Sequence, residues 1–192
     1  MIQFDGLVEI RWHGRGGQGA VTSAELVAQA AINEDKYAQA FPAFGAERRG
    51  APVLAFDRID PDKPIRIRAE VDQPDIVIVL DAGLLKVVNV ASGLKDRGMM
   101  VVNTTETTAA IQKQLGIKQA VATVDATRIA RDVLGVPIVN TSMIGALLRA
   151  SGVVAMDSLT EPLQERFGRL AERNIKAMKL AYDKTVLGEI SK

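Results

Sequence analysis

Four glycines fall within six residues at Gly14, Gly16, Gly17 and Gly19, between the alternating run Val8–His13 and a stretch of helical periodicity. Gly14, Gly16 and Gly19 meet G-x-G-x-x-G, the pattern that brings backbone N–H groups close to a phosphate at a helix N-terminus. Arg15 and Gln18 lie inside the loop and add a cation and an amide. A second unusual block runs Ala40-Phe-Pro-Ala-Phe-Gly-Ala-Glu-Arg-Arg-Gly-Ala-Pro52. In it Arg48 and Arg49 could clamp a phosphate of a nucleotide or coenzyme A, or anchor a protein interface beside Phe41 and Phe44. The residues leave both readings open.

His13 beside Arg15 has the chemistry of a general base. No G-x-S-x-G serine and no P-loop lysine accompanies it, and a histidine at a strand end commonly serves as a hydrogen-bonded structural group. The dinucleotide reading also wants an acid at the end of the second strand, to hold the ribose. That region reads Gln39-Ala40-Phe41, with Glu34 and Asp35 at the wrong end. This argues against NAD; NADP, its 2′-phosphate held by Arg48 and Arg49, stays open. Asp81, Asn103 and Asn140-Thr141-Ser142 follow strand-like runs, where they could meet a ligand or cap the next helix.

These groups need a scaffold of alternating strands and helices. Val8–His13, Tyr37–Phe41 and Pro52–Ile59 read as strands, and the helical spacing of Val21, Ala24, Val27, Ala28 and Ala31 lies between the first two. Asp60-Pro-Asp-Lys-Pro64 is a turn signal; Ile65–Arg68 alternates and is expected to pair antiparallel with Pro52–Ile59. Asp75–Asp81 and Met99–Asn103 are apolar runs of strands covered on both faces. Helices are expected over Leu84–Val90, Thr107–Leu115, Thr127–Leu134 (capped by Asp125, ended by Gly135) and Met143–Ala150; Ala120–Val124 is a strand and Val136–Val139 is short and extended. Ser158-Leu-Thr-Glu161 has the form of a capping box, and the chain from there to Val186 reads as helical with a break near Gly168. The expected architecture is α/β: one Rossmann-like domain over residues 1–192, its mixed, mostly parallel sheet flanked by helices, with the glycine loop at 13–19, the Arg-Arg loop at 40–52 and the C-terminal helices at 158–187.

Composition excludes several functions. Of 192 residues 47% are hydrophobic, but only 4% are aromatic, which suits helix-on-sheet layers better than a β-sandwich. A formal charge of +1 supplies no field for nucleic acid or an anionic membrane. The apolar segments are too short to span a bilayer and no leader pattern opens the chain, so a cytoplasmic protein is expected. Without cysteine the chain can form no disulfide, thiolate zinc site or iron–sulfur site. One histidine and no carboxylate cluster at ligand spacing leave no metal site in view.

The two blocks Arg11-Trp-His-Gly-Arg-Gly-Gly-Gln-Gly19 and Ala40–Pro52 resemble those of the gamma subunit of 2-oxoacid:ferredoxin oxidoreductases. Pro74–Asp81, Val102-Asn-Thr104 and Asn140–Gly145 continue the resemblance through the chain in order. The W-H-G-R loop with A-F-P before G-A-E-R-R-G-A-P is more similar to the pyruvate type than to the 2-oxoglutarate type; oxalate and branched-chain relatives stay open. The resemblance implies a complex that decarboxylates a 2-oxoacid on thiamine diphosphate, passes electrons through [4Fe-4S] clusters to ferredoxin and forms an acyl-coenzyme A. Thiamine diphosphate and the clusters would be held by alpha, beta and delta subunits. This chain would be a docking subunit with no catalytic residue, and could self-associate when isolated. Gly14, Arg15, Gly16, Gly17, Gln18, Gly19, Arg48 and Arg49 would face partners or coenzyme A. The alternative is an NAD(P)- or coenzyme A-binding Rossmann-like protein acting alone.

Overall fold

Strand β1 (Val8–Arg15) is an interior strand, third in a seven-stranded sheet, in a computed structural model that describes residues 6–43 and 50–190. After β1 come α1 (Ala20–Ile32), β2 (Tyr37–Pro42), β3 (Pro52–Asp60), β4 (Ile76–Val79), β5 (Met99–Asn103), α2 (Thr108–Leu115) and β6 (Ala120–Val124). The chain continues through α3 (Ala126–Leu134), α4 (Asn140–Ser151), α5 (Thr160–Phe167), α6 (Ala171–Lys184) and β7 (Val186–Leu187). The strand order is β2-β3-β1-β4-β5-β6-β7. β1, β4, β5 and β6 are mutually parallel; β3 is antiparallel to both β1 and β2, and β7 to β6. The sheet is mixed, as expected from the sequence, but its antiparallel part is built differently.

Residues 65–68 form no strand, so the expected pairing with β3 is corrected. Both edges of β3 are taken, by β1 and β2, leaving Ile65–Arg68 no ladder to join. That segment instead crosses one face of the sheet. Ile65 accepts from the Gln39 amide, Glu70 from Arg58 and Val71 from Arg11 through their carbonyls.

The sheet separates two apolar layers. On one face Ile10, Trp12, Ile78 and Val101 pack against Ala24 and Val27 of α1 and against α4, whose Met143, Ile144 and Leu147 are fully buried. On the other, Val77, Val79, Met100 and Val102 meet Leu84, Val90, Leu94 and Ile111. Strands buried on both faces explain the unbroken apolar runs of β4 and β5.

Several helix ends follow their sequence signals. Asp125 accepts from the Arg128 amide at 2.9 Å, and Gly135 ends α3 in the left-handed conformation. Others do not. The helix expected over Leu84–Val90 is a short 3-10 turn, Ala82–Lys86. Ser158 is not the cap of α5; it lies within a 3-10 turn, Asp157–Leu159, that precedes the helix. The expected break near Gly168 is a 3-10 turn, and Val186 leaves the helix to pair with Thr123 at the sheet edge.

Candidate functional site

The glycine loop is set where β1 and β4 diverge. From β1 the chain turns into α1 on one face of the sheet, whereas from β4 it turns to Leu84 on the other. In α/β sheets such a switch point opens a crevice beyond the strand ends, the usual seat of a ligand. Here the chain's own side chains occupy it. Arg15 Nε donates to Asp81 Oδ2 at 2.9 Å, and Gln18 Nε2 donates to the same oxygen at 3.1 Å. Asp81 Oδ1 accepts from the Gly83 amide, capping the 3-10 turn. Of the two roles open to a residue at this strand end, Asp81 takes the cap, and its other oxygen is held by Arg15 and Gln18.

Much of the loop's donor capacity is spent internally. The Arg15 amide donates to Gln18 Oε1 at 2.8 Å, Gln18 N to Arg15 O at 3.0 Å, and Gly16 N to Ala51 O at 3.0 Å. An incoming phosphate would meet the carboxylate of Asp81 and an arginine already neutralised by it, which disfavours anion binding. Gly19 is fixed by packing as well as by conformation. Its φ is +83°, and a Cβ placed there would lie 3.0 Å from Cβ of Asn140 at the start of α4. A shallow cleft of about 290 Å³ lies beside the loop, bordered by Gly17, Val21, Thr22 and Val53.

The dinucleotide reading also lacks its second strand. β2 is separated from β1 by β3, so the end of β2 that would hold a ribose lies two strand spacings from the loop, roughly 10 Å. Arg48 and Arg49 lie outside the described residues, as do Glu47 and Phe44.

His13 is a neutral, buried residue. Its Nε2 accepts from Arg11 Nε at 3.1 Å. Burial first, and then the charge of Arg11, hold its pKa down at about 3. A base so weak cannot drive proton abstraction near neutral pH, and the structural reading of this histidine prevails. Asn103 likewise ties elements together, donating to Leu80 O at 2.8 Å and to Thr127 Oγ1 at 2.9 Å. Thr141 of the Asn140–Ser142 segment donates to Asn174 Oδ1 on α6.

Two buried polar groups escaped sequence reasoning. Asp57 is fully buried in β3 and accepts from Trp12 Nε1 at 2.6 Å, while its other oxygen has no partner among the described residues. Burial pushes its pKa well above the usual carboxylate range, against the hydrogen bond from Trp12. Arg58, next in sequence, faces the opposite side of the sheet and pairs with Glu9 at 2.8 Å. Nothing in an alternating strand marks which polar residue faces inward; only the register with β1 does. No cluster of three or more potential metal ligands occurs among the described residues, nor is any helix there long and apolar enough to cross a membrane.

The family model for pyruvate ferredoxin/flavodoxin oxidoreductase matches residues 9–184. The chain is 53% identical over 186 residues to the pyruvate/ketoisovalerate oxidoreductases common subunit gamma of Thermococcus litoralis, covering 96% of this chain and 100% of that protein. It is 51% identical over 178 residues to pyruvate synthase subunit PorC of Methanocaldococcus jannaschii, covering 92% and 96%. The crystal structure of pyruvate oxidoreductase subunit PORC from Thermotoga maritima superposes with a TM-score of 0.86 at 36% identity, covering 96% of this chain and 100% of that one.

Proposed function

Because the chain belongs to the pyruvate ferredoxin/flavodoxin oxidoreductase family, we propose that it is the gamma subunit of a coenzyme A-dependent 2-oxoacid:ferredoxin oxidoreductase acting on pyruvate. It works within a multisubunit complex in the cytoplasm, beside alpha, beta and delta subunits. The observation that carries this reading is the full-length match to gamma subunits at half identity or better, in a chain whose switch-point crevice is filled by its own Arg15, Gln18 and Asp81.

The chain's own chemistry agrees with a docking role. A sequence without cysteine cannot ligate an iron–sulfur cluster, so the [4Fe-4S] clusters belong to partner chains. Thiamine diphosphate, which supplies the carbanion chemistry of decarboxylation, likewise belongs to them. The strapped loop Gly14–Gly19 is a rigid, low-profile surface, with its backbone exposed at Gly17 and the cleft at Val21 and Thr22 beside it. Such a surface suits a partner's backbone at close range better than a free phosphate. Arg48 and Arg49 are assigned to coenzyme A or to a partner on their sequence alone.

The test is reconstitution. Companion subunits produced without this chain should lose most pyruvate- and coenzyme A-dependent ferredoxin reduction, and adding it back should restore it. Full activity without it would refute the assignment.

A further inference from the structure

On the face of the sheet opposite α1, a cleft of about 330 Å³ opens between β1, β3 and the turn that follows Leu84. Its walls are aliphatic: Pro52, Val53, Leu54, Leu84 and Val88. Its polar lining is His13 and Arg11, with Asn89 and Ser92 from the turn. That combination is the usual construction of a small-molecule site, and the volume lies at the small end of such sites.

Beneath His13 lies a buried cation with no direct ion pair among the described residues. Arg11 is 7% exposed and donates to His13 Nε2 and to the carbonyls of Val71, Val90 and Ser92. No carboxylate among the described residues is within ion-pair distance of it. Nearby, Glu9 pairs with Arg58 and Asp75 with Lys95, and Asp72 acts on Arg11 through space. A buried guanidinium whose direct contacts are all neutral dipoles keeps a local positive potential beside His13, offset in part by Asp72.

His13 projects that field into the cleft. Its Nε2 accepts from Arg11, so the neutral imidazole must carry its proton on Nδ1. That N–H has no acceptor among the described residues, while the side chain borders the cleft. A donor polarised by a cation through the ring is suited to a charged acceptor.

We propose that this cleft binds a short aliphatic carboxylate, its oxygen accepting from His13 Nδ1–H and its alkyl body lying against Val53, Leu84 and Val88. Arg11 is a positioning residue: it fixes the tautomer and supplies the field. The site adjoins the start of the glycine loop through His13 and Gly14, and the inference does not depend on the subunit assignment.

His13 is the chain's single histidine, so histidine labelled with nitrogen-15 reports this ring alone. The full-length chain would be titrated near neutral pH with isobutyrate and, separately, with the uncharged isostere isobutyramide. The expected spectrum is the Nδ1–H tautomer, with a saturable shift on adding isobutyrate and none with the amide. In Val88→Phe, which fills the cleft and keeps the histidine, the tautomer persists and the response disappears. In His13→Gln, whose amide oxygen can still accept from Arg11, calorimetric binding of isobutyrate is lost. An Nε2–H tautomer, no saturable shift, an equal shift with isobutyramide, or a response undiminished in Val88→Phe would each overturn the proposal.

Discussion

Arg15 and Asp81 join across the ends of β1 and β4 at 2.9 Å, and Gln18 bonds the same carboxylate. The pair is only partly shielded, with side-chain exposures of 32% and 26%, so solvent screens it and its worth is modest. Asp81→Ala should cost about 1–2 kcal/mol, because the cap on Gly83 is lost with the pair. Arg15→Ala should cost less, and the double variant less than the sum of the two. Urea unfolding of the three variants checks this.

Gly17 and Gly19 both adopt positive φ, +93° and +83°, but only Gly19 is crowded. Alanine at Gly17 meets open space and should cost about 1 kcal/mol in backbone strain. Alanine at Gly19 adds the contact with Asn140 and should cost about 2–3 kcal/mol. Equal losses in thermal or urea unfolding would show that Gly19 is not fixed by α4.

His13 gives the stability a defined pH dependence. Its pKa is about 3 when folded against 6.5 in its ordinary state. Between those values the unfolded chain binds the extra proton, so stability falls as pH is lowered through this window. From pH 7 to pH 5 the loss attributable to His13 is about 2 kcal/mol. His13→Gln should show a correspondingly flatter profile in denaturant unfolding.

Asp57 acts in the opposite sense. Its folded pKa is raised by burial, so the protonated form is favoured in the fold and stability is lost as pH rises from the ordinary carboxylate value toward the folded one. Asp57→Asn keeps an acceptor for Trp12 and removes the ionisation. It should be at least as stable as the parent at pH 8, with a smaller advantage at pH 5, by urea unfolding.

Local signals were legible where a residue's role depends on near neighbours. The strand–glycine–helix unit at Val8–Ile32, the Asp125 cap and the Gly135 stop all follow from spacing within a few residues. Contacts set by sheet register were not. The approach of Arg15 to Asp81 spans 66 positions and exists because Trp12 pairs with Ile78 in parallel register. Ile65–Arg68 carries a strand's alternation but no free edge of β3, and Ser158 has a cap's spacing but lies inside a 3-10 turn. One pairing could have been read sooner: Arg11 and His13, two apart on one strand, must share a face.

The central claim is that this chain works as one subunit among several. The most direct test is to tag it in its host, purify it without oxygen and weigh the product by native mass spectrometry. The account predicts a stoichiometric assembly with companion chains that carry thiamine diphosphate and iron–sulfur clusters and reduce ferredoxin with pyruvate. A lone species of about 20.6 kDa, or one carrying only a nucleotide, would contradict it.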